Sequence, residues 1–218
     1  MTKLFVWDFH GVLEKGNDEA VLTISNHILE KYGFSERFSK KDGERLTGQK
    51  WYQYFVDLLP HECDECHKQL QQACFTYSNE NIELVASFVS LNDFAHEVLE
   101  DIHKSRHEQI LISNTQMWAL KKYLQIVGIE QYFSEGSYHG IDAHNNLLIT
   151  KDQTLEMILL KKKHKGKVIS IGDSPHDVAL AKIGKSGTSF LYSHPGRPFR
   201  ECEADYKIHD LREVLKEL

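Results

Sequence analysis

Three carboxylates stand where two apolar runs of this chain give out. Asp8 closes the run Leu4 to Trp7 in KLFVWDFHGVLE, and Asp173 and Asp177 follow the run Val168 to Ile171 in KVISIGDSPHDVALAK. Each run passes from buried-type residues into a turn that holds an acid and a glycine. That pattern describes a strand that delivers its acid to the carboxyl edge of a parallel sheet, where open α/β folds hold their ligands. Carboxylates crowded at one edge repel each other unless a cation sits among them, and hard oxygen donors suit Mg²⁺. The chemistry expected is that of a magnesium site.

The elements that must position these acids follow from the apolar spacing. Asp18 to Tyr32 carries Ala20, Val21, Ile24, Ile28 and Leu29 at helical intervals and stops at Gly33. Further helical stretches are expected over Trp51 to Leu59, ending at Pro60, over Cys63 to Tyr77, and over Asn81 to Val89. No strong strand signal interrupts residues 15–88. Asn92 is then expected to cap a helix over Asp93 to Ser105, followed by a strand Gln109 to Ile112 that ends in Ser113-Asn114. A helix from Trp118 to Val127 precedes a weaker strand-and-loop region, Phe133 to His139; a helix Leu155 to Lys163 leads into the second acid-bearing strand. A helix Asp177 to Ile183 and short strands Thr188 to Tyr192 and Ala204 to Ile208 complete the chain. Strands alternating with helices predict right-handed crossovers and a doubly wound, three-layer α/β domain. The expected division is a core of residues 1–14 and 89–218 with an inserted helical domain, residues 15–88.

Asp8-Phe9-His10-Gly11-Val12 resembles the D-x-D-G-T/V signature of the haloacid dehalogenase superfamily. Its other motifs occur in order: the strand ending in Ser113-Asn114, a lysine, and Gly172-Asp173-Ser174-Pro175-His176-Asp177. Lys151 stands at the spacing before Asp173 seen in phosphoserine-phosphatase-like members, whereas Lys161, Lys162 and Lys163 read as a solvated helix end. The inserted helical block is similar to the cap of the phosphoglycolate-phosphatase-like branch. The resemblance implies phosphoryl transfer from a small phosphorylated metabolite through an aspartyl-phosphate on Asp8. It implies Mg²⁺ held by Asp8, the backbone carbonyl of His10 and Asp173, with Asp177 as a further ligand or an orienter. Ser113 and Lys151 would stabilise the phosphoryl oxygens, and backbone N–H groups around Gly11 and Asn114 would add donors. In the cap, Arg45, Gln49, Lys50 and Trp51 around Thr47-Gly48 are candidates for substrate selection.

One position departs from the pattern. The superfamily's second aspartate, two residues after the nucleophile, is His10 here. That aspartate protonates the leaving group and then activates water, and an imidazole is chemically able to do both. Three readings follow: a phosphatase with a histidine acid/base; a non-catalytic or weakly active member that binds a phosphometabolite or a protein; and a phosphonate-cleaving enzyme. The last needs a Schiff-base lysine, for which Lys15, Lys31 and Lys50 are loose candidates.

Bulk properties fit a compact enzyme. With 218 residues, 41% hydrophobic, the chain suffices for a sizeable core, and a net charge of −6 argues against a nucleic-acid surface. No apolar run reaches membrane length and no signal-peptide pattern opens the chain, so the expected location is the cytoplasm. Cys63-x-x-Cys66, with His61 and His67 near it, lacks a second pair, which favours surface thiols over structural zinc. His139, His144, His176 and His194 fall in expected loops. The oligomeric state leaves no mark in the sequence.

Overall fold

The computed structural model describes residues 2–46, 49–142, 149–184 and 186–218, apart from the side chain of Glu44. The chain opens on β1 (Leu4–Trp7), turns through residues 8–13 and forms β2 (Glu14–Lys15). There follow α1 (Asn17–Lys31), α2 (Lys40–Leu46), α3 (Trp51–Leu58), α4 (Asp64–Glu80) and α5 (Ile82–Phe88). After β3 (Ser90–Leu91) come α6 (Ala95–Lys104), β4 (Glu108–Ser113), α7 (Met117–Ile126) and β5 (Tyr138–Gly140). The rest is α8 (Lys151–Lys162), β6 (Val168–Gly172), α9 (Pro175–Ala179), β7 (Gly187–Tyr192) and β8 (Tyr206–Ile208). Short 3₁₀ turns lie at Glu130–Tyr132, Leu180–Ile183 and Leu211–Glu217.

Two compact units result, Met1–Lys15 with Leu91–Leu218, and Gly16–Ser90. Against the expected boundaries, the chain leaves the first unit one residue later and returns two residues later. The first unit is a six-stranded sheet in the order β5-β4-β1-β6-β7-β8, and its pairings are parallel. β1 lies at the centre between β4 and β6, with Trp7 opposite both Leu111 and Ile171. Both faces are covered, which explains why β1 reads as a continuous apolar run and β6 as one broken only by the buried Ser170, rather than as alternating strands. Leu4 and Val6 pack with Leu155 and Ile158 of α8, while Phe5 and Trp7, pointing the other way, are equally buried. With helices on both faces this is the doubly wound α/β fold. The second unit is helical, with Ile24, Ile28, Phe55, Leu70 and Cys74 in its core.

Several local expectations need correction. Asn92 does not cap α6: the helix starts at Ala95 after Phe94 in the left-handed region (φ 61°). The buried Asn92 amide instead donates to Val12 O at 2.7 Å, and Asn92 N donates to Leu13 O at 2.9 Å, clamping the turn after β1. α8 begins at Lys151, four residues before Leu155, because Gln153 Oε1 accepts from Thr150 N at 3.3 Å and closes the first turn earlier than apolar spacing shows. The helix after Asp173 begins at Pro175 and becomes a 3₁₀ turn at Leu180. α2, whose sequence KKDGERL holds a mid-helix glycine and one leucine, had no periodic signal. His139 lies in β5, not in a loop; burial pulls its pKa down. His144, Thr47 and Gly48 lie outside the described residues. Among the described residues no helix is long and apolar enough to cross a membrane.

Candidate active site

The turn after β1 is built by one carbonyl. Phe9 O accepts from Val12 N, Leu13 N and Glu14 N at 3.3, 3.0 and 3.2 Å, curling the chain back over His10. Gly11 makes this possible with φ +77°, and a Cβ there would come within 3.0 Å of Asp173 Oδ2. Asp8 itself is anchored by its N–H to Ile171 O at 2.9 Å, across the central strand pair.

Three acids converge at this edge. Carboxylate oxygens of Asp8, Asp173 and Asp177 all lie within 4.8 Å of one another. Lys151, buried as the first residue of α8, donates to Asp8 Oδ1 at 2.6 Å and to Asp177 Oδ1 at 2.7 Å. Asp177 Oδ2 accepts from Ser174 Oγ at 2.5 Å, and Arg200 Nη2 donates to Asp173 Oδ2 at 3.1 Å. Gly172 lets Asp177 approach, since a Cβ at residue 172 would lie 1.9 Å from the Asp177 Cβ. Two cations against three carboxylates leave the cluster negative. Burial raises the Asp8 carboxyl above its ordinary range, partly offset by Lys151 and reinforced by Asp177. Burial also pushes Asp173 up to about 7, with Arg200 opposing and Asp8 and Asp177 adding to the shift. Lys151 is driven the other way from a buried amine: Asp177 and Asp8 outweigh its desolvation and hold it charged. An acid cluster that its own cations leave underneutralised fits a divalent metal bound through oxygen.

His10 stands at the other side of the turn. Its Nδ1 is 2.8 Å from Glu14 Oε1 and its Nε2 is 2.8 Å from Thr115 Oγ1. The ring lies edge-on to Phe9 and Tyr123, with centroids 5.0 and 5.5 Å away. Ser113, buried at the end of β4, donates through Oγ to Thr115 Oγ1 at 3.1 Å and accepts from Thr115 N at 3.3 Å. Asn114 is exposed in the following turn. Lys161, Lys162 and Lys163 are exposed at the far end of α8.

This arrangement matches a known family over most of its length. Residues 5–191 fit the profile of haloacid dehalogenase-like hydrolases. The chain belongs to the haloacid dehalogenase-like hydrolases. A protein of Caldanaerobacter subterraneus subsp. tengcongensis with the provisional name pyrophosphatase is 19% identical over 202 residues, 91% of this chain and 90% of its own. A provisionally named phosphatase from Clostridium difficile superposes with a TM-score of 0.79 at 17% identity, covering 100% of this chain and 98% of its own. A structure from Haemophilus somnus 129pt, provisionally named a phosphoglycolate phosphatase, gives a TM-score of 0.78 at 17% identity over 99% and 97%. These likenesses speak for the fold of the haloacid dehalogenase-like hydrolases.

The structure thus brings Asp8, Asp173, Asp177 and Lys151 into one cluster, and ties His10 through Thr115 to Ser113. Sequence reasoning passed over Glu14, Thr115, Ser174 and Arg200. Glu14 and Thr115 sit inside or beside the quoted motifs, and the His10-to-Glu14 interval of four was a readable signal. Arg200 arrives from a loop 27 residues beyond Asp173, where the sequence carries no sign of it. In the second unit, Arg45 is paired with Asp42 and Asp57, and Trp51 Nε1 donates to Ser25 Oγ at 2.9 Å. Both therefore have roles in that unit's own packing. Gln49 and Lys50 are exposed. Cys63 is exposed and Cys66 half-buried, while His67 is tied to Leu59 O at 2.9 Å. Among the described residues they join no metal-holding group.

Proposed function

We propose that this hydrolase is a magnesium-dependent phosphatase acting on a small phosphorylated metabolite in the cytoplasm. The observation that carries the reading is Lys151 bridging Asp8 and Asp177 while Asp173 completes a negative cluster at the carboxyl edge of β1 and β6. Asp8 is the nucleophile and becomes the aspartyl-phosphate. Lys151 keeps Asp8 ionised and aimed, and its fixed charge meets the equatorial phosphoryl oxygens. Asp177, held by Lys151 and Ser174, orients that lysine and remains within reach as a further metal ligand. Asp8, Asp173 and the His10 carbonyl would hold Mg²⁺, which when bound neutralises charge as one anion approaches another. Ser113, Asn114 and the N–H groups near Gly11 supply donors to the phosphoryl group, and His10 serves as acid and base. The helical unit Gly16–Ser90 acts as the substrate-selecting cap domain.

The test is hydrolysis of p-nitrophenyl phosphate and a panel of phosphorylated metabolites with and without magnesium, for the wild type and Asp8→Asn. Activity that needs both magnesium and Asp8, with trapping of a phosphorylated protein, is the expected result. Tight binding of magnesium and a phosphate mimic with no turnover of any ester would overturn the reading in favour of a binding protein. Release of phosphate from phosphonates alone would replace it with phosphonate cleavage.

A further inference from the structure

Glu14 is fully buried, yet its carboxylate has little to satisfy it. Oε1 accepts from Gly11 N at 3.1 Å and faces His10 Nδ1 at 2.8 Å, while Oε2 is buried with no hydrogen-bond partner. An orphaned buried oxygen costs stability, so a residue needed only for packing at this position would be apolar. The neighbour that gives this carboxylate a purpose is the imidazole. Thr115 meets the opposite ring nitrogen, and its own oxygen is fixed by Ser113. A hydroxyl accepts from Nε2–H when the ring is charged and donates to Nε2 when it is neutral, so the ring keeps one orientation in both states.

Resting on the proposed phosphatase reading, we infer that Glu14 and Thr115 are positioning residues that clamp His10 between them and make Nε2 its proton-transfer atom. Glu14 keeps a proton on Nδ1 throughout, as an orienting carboxylate does in other histidine-based sites. In the first step an Asp8 oxygen bonds to phosphorus and the bond from phosphorus to the leaving oxygen breaks. That oxygen keeps the electron pair and takes the proton from Nε2, displacing Thr115 from the ring. In the second step a water oxygen bonds to phosphorus, Nε2 takes the water's proton, and the Asp8 carboxylate departs with its electrons. The chain thereby replaces the superfamily's second aspartate with a histidine and a buried carboxylate behind it.

The experiment compares Glu14→Gln with the wild type on aryl and alkyl phosphates, and repeats the change in a His10→Asp background. A neutral amide of the same shape still fills the site, with its oxygen kept toward Gly11 N and Nδ1, but it lacks the negative charge that stabilises the protonated ring. Alkyl esters, which need a proton at the leaving oxygen, are expected to lose roughly 10²-fold in kcat, with KM and magnesium half-saturation held within about 2-fold. p-Nitrophenyl phosphate, whose leaving group needs little help, is expected to lose only about 3-fold. In the His10→Asp background the sign reverses: two facing carboxylates repel, so Glu14→Gln is expected to raise kcat roughly 10-fold. A uniform loss on every ester, or the same loss in both backgrounds, overturns the inference. Nitrogen-15 NMR of labelled histidine supplies a readout that needs neither turnover nor a folded variant. A proton retained on His10 Nδ1, with and without a bound phosphate mimic, supports the clamp, and a ring protonated on Nε2 alone overturns it. A wild type inactive on every ester would count against the phosphatase reading, and the NMR result then decides the clamp by itself.

Discussion

Lys151 and Asp173 occupy one cluster but have opposite energetic roles. Removing the charge of Lys151 leaves Asp8 and Asp177 buried without their shared cation. Lys151→Met is therefore expected to cost about 3–5 kcal/mol in urea unfolding at neutral pH, besides abolishing turnover. Asp173→Asn relieves repulsion instead, so the metal-free protein is expected to be as stable as the wild type or more so, while magnesium no longer protects it. The same crowding sets a pH dependence. Burial, opposed by Arg200 and reinforced by Asp8 and Asp177, raises the Asp173 carboxyl from 3.8 to about 7. A group raised on folding contributes stability fully below its unfolded pKa and loses it as pH rises through the folded one. Metal-free stability is thus expected to fall between about pH 4 and pH 7, by an amount on the order of a few kcal/mol. On the proposed reading magnesium binds the ionised form, and it is expected to widen the thermal-shift difference as pH increases over that range. A magnesium-induced shift independent of pH would contradict this account of the cluster.

At the scale of elements, the site depends on two chain reversals. The junction of β6 and α9 needs Gly172 for the approach of Asp177, and Ser174, which accepts from Asp177 N at 3.4 Å, with Pro175 at the first helical position. Gly172→Ala forces Asp177 aside and is expected to destabilise by about 1–3 kcal/mol, with a larger fall in magnesium affinity than in stability. Ser174→Ala removes the cap and is expected to cost about 1 kcal/mol. It also frees Asp177 Oδ2, so its effect on kcat should exceed its effect on the unfolding midpoint. Calorimetry and magnesium titration on the same samples separate the two. The turn after β1 is held differently, by Phe9 O within and by Asn92 from the start of the returning chain.

For the molecule as a whole, an ion cluster joins the first strand of the sheet to the last turn of the chain. Lys3 and Lys167 both pair with Glu217, Lys167 Nζ at 2.8 Å from Oε1 and Lys3 Nζ at 3.2 Å from Oε2. The lysines overcome the opposing effect of burial and hold the Glu217 carboxyl below its usual range. A depressed carboxyl contributes stability above its unfolded pKa and loses it as pH falls through the folded one. Glu217→Gln is expected to remove about 1 kcal/mol at pH 7, since the lysines are partly solvated, and progressively less as pH falls through the depressed range of the folded carboxyl. Urea midpoints of the wild type and the variant, followed from pH 7 down into the acid range, test both halves. The sequence by itself determined the sheet and its acids. β1 is an unbroken apolar run and β6 one interrupted only by Ser170, because both their faces are buried, and Asp8 and Asp173 follow these strands directly, so register alone carries them to one edge. It also pointed to Lys151 through motif order. Pairings between residues distant in sequence left no local signal. Arg200 reaches Asp173 from a loop, Asn92 turned from a cap into a clamp, and Ser113 is tied through Thr115 to His10. Tertiary structure decided these because a polar side chain takes the partner that folding buries beside it.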